Sequence, residues 1–511
     1  MKTFKNIIKQ LINILFLIII IYILGNILLQ KESLMFKFDN FKLLFVTTIY
    51  TVCVVILYKL LSKLKQNRLI VGIILGIILV IQCIVSYLFC VKPSWDFGKV
   101  FNEATKFNVI IENTKYFTQC ANNIPIMLIF KSIFYIFSFI GTNNYLILGI
   151  ILNIIIIDSS IWVAYLLVKR ILGRNKALFA LVLFALNPAI YLYGPIFYTD
   201  TLTMIFPILI LYLYVLLKDE NISKKRKTVI AILFGIIMAV GIILKFTIVI
   251  PFIAIIIYEV FFDISKKNIK LKCIQLAKII IAMIIVVLLQ KILLVKIVPN
   301  YTEMKDKSLP FLHFIMMSIE GDGRFNQDDV DFTMSLDLEN RNEKLIEEIK
   351  NRMQKHNENN DWYNFITNKM LTTWGDGTYY IPWQLEREPV HNGIHQEFIF
   401  RDGKYKSIYA YYTQAQHITM FILMIFLIFY KLERKDFNYN ILKLTFIGLF
   451  LVFIIYEAKS RYIVNFMPIF VIMQVIDLGN LSALLNKKQK VEVDTPLLEH
   501  KNKQKREHSF L

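Results

Sequence analysis

Two aspartates follow apolar runs at points where a membrane helix would end. Asp96 lies in the segment 93–97, which begins with a proline, and Asp200 lies in the segment 197–201. Ionisable residues at a membrane boundary are costly to desolvate and tend to be functional. Two carboxylates at one boundary would supply a general base and its orienting partner. A solvated loop for Asp96 and a helix cap for Asp200 are the simpler alternatives.

Three cations lie in comparable positions. Lys245 interrupts a long apolar stretch, and Lys459 and Arg461 lie in a charged turn between the last two apolar runs. A guanidinium binds a phosphate through two parallel N–H groups, and an ammonium adds a compact positive charge. A nearby carboxylate would remove the proton of an acceptor hydroxyl, and the cations would stabilise the departing lipid phosphate. Together they would transfer a group from the lipid phosphate to the acceptor. A snorkelling lysine and a solvated turn are the alternatives.

The composition places these residues in a membrane protein. The 511 residues are 56% hydrophobic and 19% charged, with a mean hydropathy of +0.55, whereas soluble domains carry about 25% charged residues. Apolar runs bounded by charges occur at 7–29, 41–62, 69–91, 145–168, 177–193, 201–217, 228–246, 248–262, 276–297, 415–431, 441–457 and 462–480. The sequence therefore predicts an all-α polytopic membrane protein with about 12 transmembrane helices.

The distribution of charge predicts an orientation. The formal charge of +20 comes from basic clusters between apolar runs, such as 224–227, and this is the pattern of cytoplasmic loops rather than of a nucleic-acid surface. Both termini, including the basic tail 481–511, are therefore predicted to be cytoplasmic. The apolar segment 124–141 breaks this pattern if it spans, so we predict an interfacial helix on the outer leaflet. The five cysteines show no spacing typical of disulfides or zinc.

Two long connections are predicted outside the membrane, at 92–144 and 298–414. The second holds 19 of the 38 acidic and 13 of the 58 basic residues, which gives it a charge of −6 in a chain of +20. A connection of this length is expected to be folded or functional, with helices at 337–355 and 362–373 that Asp337 and Asn360 would cap. The other divisions are two N-terminal helices at 1–68, a core at 69–297 and C-terminal helices at 415–480.

In their order along the chain, these residues resemble the GT-C membrane glycosyltransferases, particularly those similar to glycosyltransferase family 39. The resemblance covers roughly 69–480. It rests on an acid in the first outer loop, a basic-x-x-Gly turn at 170–173 and a second acid after the next span. The variant of this family in Gram-positive bacteria has short motifs with counterparts here: Asn122-Asn123, Tyr198-Thr199-Asp200, Lys245, His313 with Met316 and Met317, Trp374-Gly375-Asp376-Gly377, and Ser460-Arg461-Tyr462.

The resemblance implies a GT-C-like fold with interfacial helices in its outer loops. It also implies transfer of a hexose-type sugar from a polyprenyl-phosphate donor to a cell-envelope glycan, lipid or protein, at the cell membrane. Asp96 and Asp200 would be catalytic, and Lys245, Lys459 and Arg461 would bind the lipid phosphate. Substrate contacts are expected from Asn122, Asn123, Tyr198, His313, Trp374, Asp376 and Tyr462. No cofactor is firmly implied: many members have Glu where this chain has Phe97, which leaves a divalent cation without support.

A secondary transporter or lipid flippase is the alternative function, because such proteins also have about twelve spans and charges within the membrane. Transporters usually contain internal repeats and midplane sites. This sequence shows no such repeat, and its polar groups gather at one predicted face. His391 and His395 have the spacing of a zinc pair only on a helix, and Gly393 lies between them.

Overall fold

The computed structural model describes residues 2–30, 33–63, 68–263, 268–429 and 437–485. All named elements in these ranges are helices, and an isolated antiparallel bridge joins Val91 to Pro389. The tail from residue 486 onward lies outside the described residues, so its cytoplasmic placement stays a prediction.

Fourteen α-helices precede the longer connection. They are α1 (Lys2–Leu29), α2 (Asn40–Ser62), α3 (Arg68–Leu88), α4 (Trp95–Ala104), α5 (Thr114–Gln119), α6 (Ile124–Ser138), α7 (Tyr145–Leu172), α8 (Arg174–Ala185), α9 (Ala189–Leu192), α10 (Thr199–Leu202), α11 (Ile205–Lys218), α12 (Lys224–Leu244), α13 (Val249–Tyr258) and α14 (Ile269–Ile297). The short helices α9 and α10 follow breaks at prolines, which lack the N–H that a helix interior requires.

Ten further α-helices cover the rest of the described chain. They are α15 (Tyr301–Lys307), α16 (Phe311–Met317), α17 (Gln327–Ser335), α18 (Arg341–Asn359), α19 (Trp362–Trp374), α20 (Ile381–Leu385), α21 (Gln396–Ile399), α22 (Lys406–Met424), α23 (Asn440–Ile455) and α24 (Met467–Leu485). A 3-10 segment, Ser460–Phe466, leads into α24. The connection predicted at 298–414 is therefore folded along most of its length.

Eleven helical stretches of the described residues are long and apolar enough to cross a membrane. They are Thr3–Leu29, Asn40–Leu61, Arg68–Leu88, Ala121–Ser138, Tyr145–Leu172, Thr199–Lys218, Lys224–Leu244, Phe246–Asp263, Ile269–Ile297, Lys406–Ile428 and Ser460–Gly479. The shorter apolar helix Asn440–Ile455 matches the predicted run 441–457. The predicted all-α polytopic fold is confirmed.

The run predicted as a continuous span at 177–193 is interrupted. It forms α8, of 12 residues, and then α9, of four residues. Between them Asn187 accepts a hydrogen bond from the Ala189 amide through its side chain, and Pro188 follows directly. A proline at this place cannot continue the hydrogen bonding of the preceding turn. The prediction of one uninterrupted span was therefore wrong here.

The segment 124–141 forms α6, which has 15 residues. At 1.5 Å per residue this helix is about 22 Å long, shorter than the roughly 30 Å hydrocarbon core of a bilayer. With the preceding 3-10 turn, Ala121–Ser138 still has the length and composition of a span. The interfacial placement of α6 therefore stays a prediction.

The caps predicted in the longer connection differ from those observed. Helix α18 begins at Arg341 with Asn340 as its N-cap, four residues after the predicted start. Asn360 adopts a left-handed conformation with φ of 51° and ends α18 instead of starting α19. Asparagine tolerates this conformation and often follows a helix. Asp361 occupies the N-cap position of α19.

Burial distinguishes central from peripheral helices. In the most apolar 18-residue window of each span, 83% of residues are buried for Ser460–Gly479 and 72% for Thr199–Lys218. The corresponding value for α14 is 17%, as expected for a helix that faces lipid along most of its surface. The two central spans begin at Ser460 and Thr199, next to Arg461 and Asp200, so the most enclosed helices carry predicted site residues at their starts.

The two long connections pack against each other. The Lys92 amide donates to the Glu388 carbonyl at 2.8 Å, and the Leu309 amide donates to the Gln119 carbonyl at 3.1 Å. The Ser318 hydroxyl also donates to the Ile455 carbonyl at the end of α23. Both connections therefore lie at one end of the helix bundle, which we call the loop end.

Candidate active site

Asp96 lies in the first turn of α4 at the loop end. Ser94 is the extended N-cap residue, and Trp95 follows with φ of 48°. One turn later, a Cβ on Gly98 would lie 2.5 Å from the Pro93 carbonyl oxygen, so only glycine fits this close approach. The tight turn holds Asp96 half-buried at the start of the helix, where a carboxylate is favoured by the helix dipole.

A directional chain of hydrogen bonds ends at Asp96. The Tyr198 hydroxyl donates to Asn123 Oδ1 at 3.2 Å, and Asn123 Nδ2 donates to the Tyr116 hydroxyl at 2.7 Å. The Tyr116 hydroxyl then donates to Asp96 Oδ1 at 3.0 Å. Both hydroxyls donate in the direction of the aspartate, so the chain of hydrogen bonds fixes the orientation of the carboxylate.

Asp200 is the centre of an ion-pair cluster. It lies on α10 and is 3% exposed. Lys245, where α12 ends, places its Nζ 2.7 Å from Asp200 Oδ1, and Arg461 places its Nε 3.8 Å from Asp200 Oδ2. Two of the three predicted lipid-phosphate ligands thus meet at one predicted catalytic residue. One carboxylate therefore forms salt bridges with two cations.

The Arg461 guanidinium is held between aromatic rings. Its Cζ lies 4.3 Å from the Trp95 ring centroid and 5.3 Å from that of Tyr462, and the Lys245 Nζ lies 5.5 Å from the same Tyr462 ring. Such rings attract cations while leaving their N–H groups free to donate. Among the described residues, the buried Nε and Nη1 atoms of Arg461 have no hydrogen-bond partner. These donors are the ones that a bound anion would use.

Asp376 holds the segment that carries Arg461. Its carboxylate accepts hydrogen bonds from the Thr378 amide and hydroxyl and from the Tyr380 amide. It also accepts one from the Ser460 hydroxyl at 2.8 Å, which ties the turn after α19 to the residue before Arg461. Asp376 is fully buried, and these bonds place it as an internal anchor of the turn rather than at an open surface.

Three aromatic residues near this cluster have a strained backbone conformation. Trp95, Tyr379 and Tyr380 all have positive φ, at 48°, 53° and 67°. The two other non-glycine residues with positive φ in the described chain are asparagines, which tolerate this conformation. An aromatic residue there costs about 1 kcal/mol or more and persists only where the surroundings impose it. Strained residues of this kind are concentrated at functional sites.

Two further ionisable side chains adjoin the cluster. The Lys459 Nζ lies 4.8 Å from the Tyr380 ring and 5.4 Å from the Trp383 ring. Burial and the neighbouring Arg461 lower the pKa of Lys459 to about 8. Glu457 is 7% exposed and is hydrogen-bonded to Tyr462, and burial raises its pKa. Asp96 acts electrostatically on both Lys459 and Glu457, so all three belong to one site.

A model of the conserved hypothetical integral membrane proteins matches residues 1–481. The chain belongs to this family. The match includes every residue of the cluster and both connections of the loop end. Neither a search of curated proteins nor a search of solved structures finds a match to the chain. Membership in the conserved hypothetical integral membrane proteins shows that the helix bundle belongs to a multi-pass membrane protein.

Three residues of this integral membrane protein that were predicted to contact substrate lie apart from the hydrogen-bonded cluster. Trp374 is 1% exposed, and its ring packs among phenylalanines, with that of Phe446 at 5.0 Å. His313 is fully buried and hydrogen-bonds Thr333 on α17 at 2.7 Å. Asn122 is exposed beside Asn123. Trp374 and His313 are therefore placed to support the bundle and the loop end.

The described residues contain no group of three or more His, Cys, Asp and Glu placed to hold a metal ion. His391 and His395 do not lie on a shared helix. Their rings pack on two aromatic residues that end α3 or follow it, Tyr87 at 4.5 Å and Phe89 at 4.8 Å. These contacts place the two histidines close to the point where the first long connection begins, so they lie between the two connections of the loop end.

Sequence reasoning missed Tyr116 and Glu457. Tyr116 lies in a short helix 20 residues after Asp96, and its spacing to other polar residues carries no recognisable signal. Glu457 was visible in the charged turn, but its burial depends on how α23 and α24 meet. The arrangement joins an oriented carboxylate to two cations with free donors. It can accept a proton at Asp96 while it binds a phosphate at Lys245 and Arg461.

Proposed function

We propose that this protein is an integral membrane glycosyltransferase. It takes a hexose-type sugar from a polyprenyl-phosphate donor and transfers it to a hydroxyl of a cell-envelope acceptor outside the cytoplasm. The observation that carries the proposal is the pairing of Lys245 and Arg461 at Asp200 beside the oriented Asp96. Two guanidinium nitrogens of Arg461 have no hydrogen-bond partner within the described residues. The resemblance to the GT-C glycosyltransferases points to the same chemistry.

The proposed step is a direct displacement. The acceptor oxygen attacks the anomeric carbon, and the bond from that carbon to the phosphate oxygen breaks. Asp96 receives the hydroxyl proton, and the bonding electrons leave with the polyprenyl phosphate. Attack opposite to the leaving group inverts the anomeric configuration. Asp96 is half-buried and so remains accessible to an acceptor.

The cations at Asp200 stabilise the leaving group. Charge builds up on the phosphate oxygen as the bond breaks, and preorganised donors at that position lower the barrier. Asp200 is shared by Lys245 and Arg461, which keeps both cations in place without neutralising them fully. These residues lie where spans begin or end, a depth at which a lipid phosphate is found.

The test is transfer of radiolabelled sugar from polyprenyl-phosphate donors to cell-envelope acceptors in membranes that contain the full-length protein. Wild type should transfer label, and Asp96→Asn should reduce the rate by about 10²- to 10⁴-fold, the usual contribution of a general base. Asp337→Asn is the matched control, because Asp337 is an exposed acid of the longer connection. It should transfer label at the wild-type rate.

Two results would contradict the proposal. Transfer by Asp96→Asn at the wild-type rate would remove the base assignment. No transfer by the wild type across a panel of donors and acceptors would reject the glycosyltransferase function and favour the transporter alternative, which uptake of sugar-lipid into vesicles would then test.

A further inference from the structure

A second pair of cations lies beside the first, on an aromatic wall of α20 and the turn before it. Tyr380 and Trp383 form this wall, with ring centroids 5.0 Å apart. Lys459 lies over both rings, and the Arg387 Cζ lies 4.5 Å from the Trp383 centroid. One indole ring therefore positions two cations that come from different parts of the chain.

Neither cation of this wall forms a salt bridge with a described residue. Arg324 and Arg401 also lie near Tyr380, but Arg324 is paired with Asp322 and Arg401 with Glu386. Within the described ranges, no carboxylate lies within 4.0 Å of Lys459 or Arg387 in a salt bridge. Two cations with free N–H donors, held on rings rather than by acids, form a site for anions.

The wall is separate from the cations at Asp200. Lys459 is extended, with φ of −167° and ψ of 135°, and the next residue, Ser460, is fixed to Asp376. As a result, Lys459 contacts Tyr380 and Trp383, whereas Arg461 contacts Trp95 and Tyr198. The chain thus places one cation on each side of Ser460.

We propose that Lys459 and Arg387, positioned by Tyr380 and Trp383, bind anionic groups of the acceptor. This inference rests on the proposed function and names its acceptor class: a glycan or polyol polymer that carries phosphodiester or carboxylate groups. It also assigns Lys459 to the acceptor instead of to the donor phosphate. Arg387 is exposed and Lys459 is half-buried, so a polymer can reach both.

The electrostatic surroundings of Lys459 support this assignment. Asp96, Asp200 and Glu457 favour its charged form, whereas burial and Arg461 oppose it. The balance lowers the pKa of Lys459 to about 8. An anion bound at its Nζ would offset the burial and the repulsion by Arg461, so the site gains charge stabilisation when the acceptor is present.

The test measures binding of fluorescent oligomers to the purified full-length protein in nanodiscs of neutral lipid. The probes are a poly(glycerol phosphate) octamer, a polygalacturonate octamer and a neutral glucan octamer. At least one anionic probe should bind ten or more times tighter than the glucan, and added salt should weaken its binding. The stronger of the two anionic probes identifies phosphodiester or carboxylate as the preferred group.

Variants locate the site. Lys459→Gln combined with Arg387→Gln should weaken binding of the anionic probe at least tenfold. Lys404→Gln is the matched control, since the Lys404 Nζ lies 5.3 Å from the Tyr405 ring, which is not part of the wall. This variant should bind within twofold of wild type.

The outcomes separate this inference from the proposed function. Equal binding of anionic and neutral probes, no binding of any probe, or unchanged binding by the double variant would overturn the anionic site. If the anionic probe binds as expected while no sugar-lipid is consumed, the site stands and the glycosyltransferase proposal fails.

Discussion

Two ion-pair clusters lie in this bundle, and they differ in how fully their charges are matched. Near the ends of α11, α13 and α14, Glu259 and Asp263 face Lys218 and Lys272. Lys218 and Lys272 each contact both acids, and the Tyr214 hydroxyl donates to Glu259 as well. Two acids and two cations therefore form a closed network.

The cluster at the loop end is open by comparison. Among the described residues, Asp200 is the one acid in salt bridges with Lys245 and Arg461, and Asp96 and Glu457 act on Arg461 without a salt bridge. Arg461 keeps two buried nitrogens without a hydrogen-bond partner in the described part of the chain. A closed network stabilises the positions of helices, whereas an open one retains affinity for an additional anion. In this bundle the number of salt-bridge partners, more than the burial of the charges, distinguishes the structural cluster from the candidate site.

The largest expected effect is at the open cluster. Arg461→Lys keeps the charge but loses the planar donors that suit a phosphate. We expect sugar transfer to fall about 100-fold, equivalent to about 2.7 kcal/mol, with little change in melting temperature. Single-turnover transfer assays and thermal unfolding in detergent would measure both. An unchanged rate would show that the guanidinium donors take no part in the reaction.

Asp376 anchors the turn after α19 to Ser460, the residue before Arg461 of the open cluster. Asp376→Asn replaces one acceptor oxygen with an amide donor and breaks part of the set of hydrogen bonds to Thr378, Tyr380 and Ser460. We expect a loss of about 2 kcal/mol of stability and a roughly tenfold slower transfer, because Arg461 and Tyr380 lose their fixed positions. Loss of stability without any change in rate would limit Asp376 to folding.

The closed cluster should respond in the opposite way. Lys218→Met leaves two acids with one cation, and since a fifth of the Lys218 side chain is exposed, the expected loss is about 1–2 kcal/mol of stability. Transfer per folded molecule should remain at the wild-type rate. Thermal unfolding and normalised transfer assays test this, and a specific loss of transfer would remove the distinction between the clusters.

The smallest expected effect is a pH dependence at Lys459. Its pKa is lowered to about 8, so its charge is present below pH 8 and is lost as the pH rises above it. We expect kcat/KM for an anionic acceptor to fall several-fold between pH 7 and pH 9. Lys459→Arg keeps its charge over this range and should flatten the profile. A decline that is equally steep in Lys459→Arg would assign the pH dependence to another group.

Much of the fold follows from the sequence. Apolar runs such as 69–91 are set by composition and length, so they predict α3 closely. The positions of Asp96, Asp200, Lys245 and Arg461 at one end also follow, because each lies at the boundary of a run. The break after α8 was visible as Asn187-Pro188, but the length of the apolar run concealed it.

The internal geometry of the site does not follow from the sequence. The chain from Tyr198 to Asp96 depends on Asn123 and Tyr116, which come together only when α5 lies beside the residues that directly precede α6 and α10. The position of Trp374 in the core was missed for a related reason. A tryptophan beside charged residues is typical of a membrane boundary, whereas here four phenylalanines enclose it.

The single residue between Lys459 and Arg461 has a geometric consequence. Two residues of chain span at most about 7 Å, and the Ser460 hydroxyl is fixed to the Asp376 carboxylate. If the two cations hold the acceptor and the donor, this short stretch of backbone limits the distance between the two substrates. Helices of the bundle can then shift against one another while the spacing between the attacking oxygen and the departing phosphate is preserved.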